Sequence, residues 1–164
     1  TEFLQNSRLI LQNNLPTMKK LIHSVITIIL ALFFIMKGFD KINSTTSSLN
    51  KTDFENIQKE NYIYSEKGEK PSGYKITMNT MKQSGFLKMI GVFQILAGVL
   101  LIVPMTRLYG LLLLLPIIFN IFMMHLFFDN RMDENILTGG LLLINILLLT
   151  YYNKILFKNL NLEK

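Results

Sequence analysis

The chain has 164 residues, of which 50% are hydrophobic, a formal net charge of +6, and neither cysteine nor tryptophan. Without cysteine it cannot form a disulfide, a thiolate metal site or a CxxC redox pair. Its lysines are spread along the chain and form no dense or aromatic-interleaved basic cluster, which argues against nucleic-acid binding. Contact between these lysines and anionic lipid headgroups is the simpler interpretation of the positive charge.

The first 17 residues are polar to mildly amphipathic and stand apart from the rest of the chain. They precede Met18-Lys19-Lys20, which resembles a natural translation start ahead of an apolar run. We therefore interpret residues 1–17 as an N-terminal extension that is either interfacial or non-native, with a short interfacial helix over residues 3–11.

Four apolar segments follow, each close to the ~20 residues that a helix needs to cross ~30 Å of hydrocarbon. The first has the charged and apolar regions of a signal peptide, but its exit, Met36-Lys37-Gly38-Phe39-Asp40-Lys41, offers no small-residue cleavage site. We therefore predict an all-α integral membrane four-helix bundle over residues 18–152. Its helices are predicted over residues 21–39, 86–103, 108–128 and 136–152.

Residues 42–84 are polar and form the predicted extended loop between helices one and two. Within this loop, Tyr62-Ile63-Tyr64 and Tyr74-Lys75-Ile76-Thr77 flank a turn and are predicted to pair as a small hairpin. Four crossings place both termini, including the tail 153–164, on one side of the membrane. The basic residues beside the short segments predict that this side is the cytoplasm and that the loop is extracytoplasmic. These residues are Lys19, Lys20, Arg107, Lys154 and Lys158.

Three carboxamides, Gln94, Asn120 and Asn145, fall near the middle of the second, third and fourth predicted helices. Polar groups in hydrocarbon are costly and usually face the interior of a helix bundle, so we expect these side chains in one layer. They either hydrogen-bond one another and hold the bundle together, or bind the polar head of a lipid-like ligand. Carboxamides do not titrate, so the layer is a poor proton relay.

Ionisable residues form a second predicted layer toward the outer face: Lys37, Asp40, Lys41 and His125, with Asp129 just beyond. Snorkelling lysines and an Asp–Lys pair at the interface would explain the first three without any function. His125 has apolar neighbours on both sides and lacks a His or Glu four residues away, so a helical metal site is not indicated.

The arrangement of four apolar helices and their polar residues resembles the DoxX family of small four-helix membrane proteins. The resemblance rests on Gly38-Phe39-Asp40-Lys41, which closes the first helix like the family's Gly-x-x-Lys ending. Gln94-Ile95-Leu96-Ala97-Gly98 running to Pro104-Met105-Thr106-Arg107 is similar to the family's acidic-residue, Gly and Thr-Arg pattern. The polar Asn120 and His125 of helix three also fit it.

The resemblance covers residues 18–152 and depends on topology as much as on residues. The chain differs from the family at Gln94, where helix two often carries a Glu, and its 42–84 loop is longer than in the family's shortest members. The family is linked to quinone-associated redox and oxidative-stress complexes. The resemblance thus implies an accessory subunit in a bacterial inner membrane, surrounded by lipid and bound to a redox partner protein. It implies a quinone as ligand but no intrinsic cofactor.

Common catalytic signatures, namely GxSxG, Walker A, the Rossmann fingerprint and HExxH, do not occur in the sequence, so we predict neither catalytic residues nor a metal site. Two functions remain open. In the first, Gln94, Asn120 and Asn145 bind a lipid-soluble ligand while Lys41 and His125 guard the outer mouth. In the second, the chain is a structural scaffold whose outer loop docks a partner. A transporter is disfavoured because the sequence has no inverted repeat.

Overall fold

The structure, a computed structural model, describes the backbone of residues 2–46, 51 and 71–153, and the side chains of residues 18–46, 51 and 71–153. Regular secondary structure in these ranges is entirely helical. The helices are α1 (Glu2–Ile42), α2 (Ser72–Gln83), α3 (Phe86–Ile102), α4 (Arg107–Met124), continued by a π-helical turn (His125–Asp129), and α5 (Met132–Thr150).

Three helical segments are long and apolar enough to cross a membrane: Met18–Ile42, Arg107–Asp129 and Met132–Thr150. The helices α2 and α3 pass the same test together, although they are bent by 76° at the break between them. If that pair is counted as one crossing, the described residues contain up to four membrane crossings. Large apolar side chains such as Ile29 and Leu143 are exposed on the helix surfaces, as expected where lipid is the solvent. The described chain is therefore all-helical and consistent with an integral membrane protein.

The first helix begins earlier than the sequence suggested. Its backbone is helical from Glu2 to Ile42 and includes Pro16, so residues 3–11 belong to α1 and do not form a separate short helix. A proline removes one backbone hydrogen bond, but residues on both sides can continue the helix through it. The apolar part of α1 begins at Met18.

The helix α2 replaces part of the predicted hairpin. Tyr74-Lys75-Ile76-Thr77 lies inside α2, so the prediction of a strand there is wrong; Tyr62-Ile63-Tyr64 lies outside the described residues. Tyr74 and Asn79 are buried on α2, which packs against α3 and the π-helical turn. This packing outweighs the local β propensity of Tyr, Ile and Thr. Gly85 then turns the chain into α3 with a φ of 78°, a left-handed conformation that favours glycine.

Small residues bring α1 and α3 into close antiparallel contact. Ala31 and Gly38 on α1 face Gly98 and Gly91 on α3, and both pairs are seven residues apart on their helix. A Cβ added at Gly98 would lie 2.9 Å from the carbonyl oxygen of Ala31. Such small-residue contacts are the usual way in which membrane helices approach one another, because lipid supplies no hydrophobic drive between helices.

The remaining helices pack in series, α3 on α4 and α4 on α5, whereas α1 and α5 do not pack closely along their lengths. One apolar cluster of buried side chains joins α1, α3, α4 and α5. Its members are Leu30, Ala31, Phe34, Ala97, Leu101, Leu111, Leu114, Ile118, Leu148 and Leu149.

Polar contacts tie α1 to the other helices at one end, which we call the His23 end. The Nε2–H of His23 donates to the Leu148 carbonyl oxygen at 3.4 Å, and the His23 ring stacks on Tyr151 with centroids 4.3 Å apart. Arg107, the first residue of α4, donates from Nη2 to Ser24 Oγ at 3.0 Å and from Nε to the Leu101 carbonyl oxygen at 3.2 Å. The Thr-Arg turn thus holds the ends of α1, α3 and α4 together.

Candidate functional site

Gln94 is a buried amide in the middle of α3. It is 1% exposed, and neither its Nε2 nor its Oε1 has a hydrogen-bond partner among the described residues. The small residues Gly91 and Ala97, one turn away on either side, let neighbouring helices approach and cover it. Leaving a buried polar group unsatisfied costs on the order of 1–3 kcal/mol. The amide of Gln94 therefore opposes folding in the described structure.

Asn145 is the second buried amide and lies on α5. Its side chain is inaccessible to solvent, and its Nδ2 donates to the Leu111 carbonyl oxygen of α4 at 3.2 Å. That carbonyl can accept a second hydrogen bond because it has two lone pairs. The Oδ1 of Asn145 has no partner among the described residues. Asn145 thus stabilises the contact between α4 and α5 and keeps one free acceptor.

The two buried amides approach α4 at similar depth. Gly110 of α4 lies against Ala97 of α3, and Leu111 of α4 accepts the bond from Asn145. Gln94 is three residues from Ala97 on α3, so along the bundle axis it lies within about one helical turn, or ~5 Å, of the level of Leu111. Gln94 and Asn145 therefore define one polar level within an otherwise apolar interior.

Asn120 does not belong to this level. Its side chain is exposed on α4, and its Nδ2 donates to the carbonyl oxygen of Pro116 at 2.8 Å. Pro116 leaves the carbonyl of Leu112 without its helical donor, but Asn120 bonds the carbonyl of Pro116 itself. The structure buries two of the three carboxamides at a similar depth and leaves Asn120 exposed.

Lys41 and its neighbours occupy the other end of α1. Lys37 Nζ lies 3.8 Å from Asp40 Oδ2, and both side chains are largely exposed, which fits an interfacial ion pair. Lys41 is half-buried, and its Cβ lies beside Gly91, 3.1 Å from where a Cβ of that residue would stand. Gly91 is one turn from Gln94, so the stem of Lys41 packs against α3 about one turn from the amide, on the side toward the helix end.

His125 lies at the opposite end from His23, on the π-helical turn, and forms an acid–imidazole pair. Its Nδ1 lies 3.2 Å from Oδ2 of Asp129, whose side chain is completely buried. The N–H of Asn130 bonds the carbonyl oxygen of His125, and this bond five residues back defines the turn. Single π-helical turns often occur at functional sites. We call this region the Asp129 end.

Arg131 neutralises the buried carboxylate. Its Nε lies 2.9 Å and 3.0 Å from the two oxygens of Asp129, and its Nη2 donates to Glu134 Oε1 at 3.0 Å. Hydrogen bonding to Asp129 raises the pKa of the Arg131 guanidinium further above its usual range. Tyr74 of α2 also packs against this region, with its ring centroid 5.8 Å from that of His125.

Reasoning from sequence missed Arg131 and Tyr74 as neighbours of His125. The four-residue spacing of His125 and Asp129 was visible in the sequence and is a usual spacing for side-chain pairs on a helix. Neither the π-helical turn nor the position of α2 over it has a comparable sequence signal. Among the described residues, no three His, Asp or Glu side chains are arranged to hold a metal ion.

An open groove lies elsewhere, at the bend between α2 and α3. The residues that line it are Thr80, Met81, Ser84, Gly85, Phe86 and Met89. None of the predicted ligand-binding residues is among them.

Comparisons of the chain with protein-family models, with curated proteins and with solved structures found no match. The geometry of the buried amides and of the Asp129 end is therefore the basis for a functional argument.

Proposed function

We propose that the chain is a four-helix membrane bundle in a bacterial inner membrane, in which the bent pair α2–α3 makes one crossing. In this arrangement the His23 end faces the cytoplasm together with both termini, and the Asp129 end and the 42–84 loop face outward. The basic residues Lys19, Lys20 and Arg107 near the His23 end support this orientation, because cytoplasmic flanks are enriched in Lys and Arg.

Within that membrane the chain acts as a DoxX-like accessory subunit of a quinone-linked redox complex. It does not catalyse a reaction alone; it holds a lipid-soluble ligand by its polar head at Gln94 and Asn145. The observation that carries this proposal is that both polar atoms of the buried Gln94 amide lack partners among the described residues. A buried polar group that destabilises the folded chain is best explained by a functional role, here hydrogen bonding to a ligand.

The free atoms suit a quinone or its quinol. Gln94 Nε2 donates to a quinone carbonyl, while Gln94 Oε1 and Asn145 Oδ1 accept from quinol hydroxyls. Apolar walls around the polar level, including Leu114 and Ala97, suit the ring and its tail. Because α1 and α5 are not closely packed along their lengths, we place the route from lipid to the amides between these two helices.

Mass spectrometry of small molecules that co-purify with the detergent-solubilised protein tests the proposal. We expect a quinone to accompany the natural chain and to be lost from Gln94→Met, which keeps the side chain's length and flexibility but removes its polar atoms. Asn120→Leu is the matched control, because it removes an amide that faces outward. Bulk lipid alone in all three preparations, or a quinone that Gln94→Met retains, would contradict the site.

A structural scaffold is the second candidate, and a specific observation favours it. At the His23 end, the bond of His23 joins α1 to α5, and the bonds of Arg107 join α4 to α1 and α3. Asn145 also uses its amide to join α4 and α5. In a scaffold, Gln94 and Asn145 would serve stability only, and the outer loop would dock a partner. The two candidates differ in what replacement of Gln94 does to the stability of the ligand-free protein.

A further inference from the structure

The Asp129 end contains an imidazole whose tautomer is determined by its surroundings. Both oxygens of Asp129 lie within hydrogen-bond distance of the Arg131 Nε–H, a charge pairing that favours the ionised carboxylate, and a carboxylate can only accept hydrogen bonds. The proton shared by His125 and Asp129 therefore resides on Nδ1 of His125. Arg131 supplies the countercharge of the carboxylate, and the imidazole supplies a hydrogen-bond donor.

The other ring nitrogen is left free. His125 Nε2 has no hydrogen-bond partner among the described residues, and the side chain is 15% exposed. In a neutral imidazole with its proton on Nδ1, Nε2 is an acceptor and cannot donate. The imidazole contacts Asp129 on the same turn and the ring of Tyr74 on α2. The charged groups next to Asp129 are Arg131, which bonds it, and Glu134, which bonds Arg131.

We propose that His125 is the contact residue of a second polar site, at the Asp129 end, whose Nε2 accepts a hydrogen bond from a hydroxyl of a lipid-soluble aromatic ligand. Asp129 is a positioning residue that fixes the tautomer, and Arg131 holds Asp129. The site selects the quinol over the quinone, because a quinol has hydroxyl donors and a quinone has only acceptors. The choice of a quinol as ligand rests on the proposed function; the tautomer and the free acceptor do not.

The aromatic surroundings favour a planar ligand. Tyr74 lies against one side of His125, with the planes inclined by 36°, and Phe127 on the same turn is exposed toward lipid. Aromatic rings attract one another in offset or tilted arrangements at such distances. A hydroxyl-bearing ring bound at Nε2 therefore has the ring of Tyr74, beside the imidazole, as an aromatic neighbour.

Nitrogen-15 NMR of the imidazoles tests this inference directly, because the chain has only two histidines. His23 donates from Nε2 to a backbone carbonyl, so its proton lies on Nε2, whereas that of His125 lies on Nδ1. At pH 8, where free imidazole is neutral, we expect the two residues to show opposite tautomers. His23→Phe leaves one histidine and assigns the signals.

The ligand preference is then read from the same spectra. Under anaerobic conditions, we expect duroquinol to move the His125 Nε2 signal upfield while the His23 signals stay in place, and duroquinone to move neither. His125→Phe should weaken duroquinol binding about tenfold, which corresponds to ~1.4 kcal/mol. If that variant fails to fold, the spectra of the natural chain still decide.

Several results would overturn the inference: a proton on Nε2 of His125, no response to duroquinol, or an equal response to both forms. These outcomes leave the proposed function intact if a quinone still co-purifies and depends on Gln94. Conversely, a selective response at His125 without any ligand at the amides would support the second site and contradict the first.

Discussion

Gly38 of α1 and Gly91 of α3 face each other so closely that neither position has room for a side chain. A Cβ on Gly38 would stand 2.6 Å from the carbonyl oxygen of Gly91, and a Cβ on Gly91 would stand 2.7 Å from the carbonyl oxygen of Gly38. Both distances are to backbone atoms, so the strain cannot be relieved by moving a side chain. The contact holds together α1, which carries Lys41, and α3, which carries Gln94.

Replacing Gly91 by alanine should therefore force α1 and α3 apart. We expect Gly91→Ala to lower the free energy of unfolding by about 1–3 kcal/mol, as overpacking of a tight interface does. Gly140→Ala is the control, because a Cβ there meets nothing within 4 Å. Alanine is the better helix former, so Gly140→Ala should be neutral or stabilise by up to about 1 kcal/mol. Thermal unfolding in detergent measures the stability of both variants. Equal changes in stability would contradict a tight contact between Gly38 and Gly91.

The buried carboxylate at the Asp129 end should matter far more for stability than an exposed one. We expect Asp129→Asn to destabilise by ~3 kcal/mol, because it leaves Arg131 without its main partner in a partly buried site. Asp40→Asn breaks an exposed pair with Lys37 and should change stability by less than about 0.5 kcal/mol. Thermal unfolding of both variants is the measurement; similar effects would mean that Asp129 is accessible to water.

The sequence predicted the apolar helices well because their length and composition are set by the membrane. It predicted α2 poorly, since residues 74–77 have high β propensity and few of their neighbours are apolar. The helix forms where Tyr74 packs against His125 and where Asn79 is buried, and such long-range contacts leave no local pattern.

For the candidate site, the sequence predicted how deep each amide lies along its helix, but not whether its side chain faces the interior of the bundle. Counting residues along a helix gives the depth of Gln94, Asn120 and Asn145, and two of these are buried at a common level. Which side of the helix faces inward depends on its neighbours, and α4 is apolar on all sides, so nothing in its sequence indicated that Asn120 faces outward.

Alkaline pH should act on the His23 end through Tyr152, whose ring lies edge-on to that of His23 with the centroids 5.5 Å apart. Burial raises the pKa of the Tyr152 hydroxyl, and Arg107 opposes this only in part. Because the folded-state pKa is above the unfolded value of about 10, the stability contributed by the neutral hydroxyl is present below pH ~10 and is lost as pH rises through the folded pKa.

We therefore expect the melting temperature to fall less steeply above pH 10 in Tyr152→Phe than in the natural chain. Tyr109→Phe, at a ring that is 64% exposed, is the matched control and should leave the slope unchanged. A slope that is the same in all three proteins would show that Tyr152 does not ionise in a buried setting.

The measurement that tests the central claim most directly is the thermal stability of Gln94→Met in ligand-free detergent. The amide of Gln94 has no partner among the described residues, so a fold that does not need it should gain about 1–3 kcal/mol when it is removed. We expect Gln94→Met to melt at a higher temperature than the natural chain, while Asn145→Leu, which loses its bond to Leu111, melts at a lower one. A Gln94→Met variant that melts lower would show that the amide serves the fold, and would contradict a ligand site at Gln94.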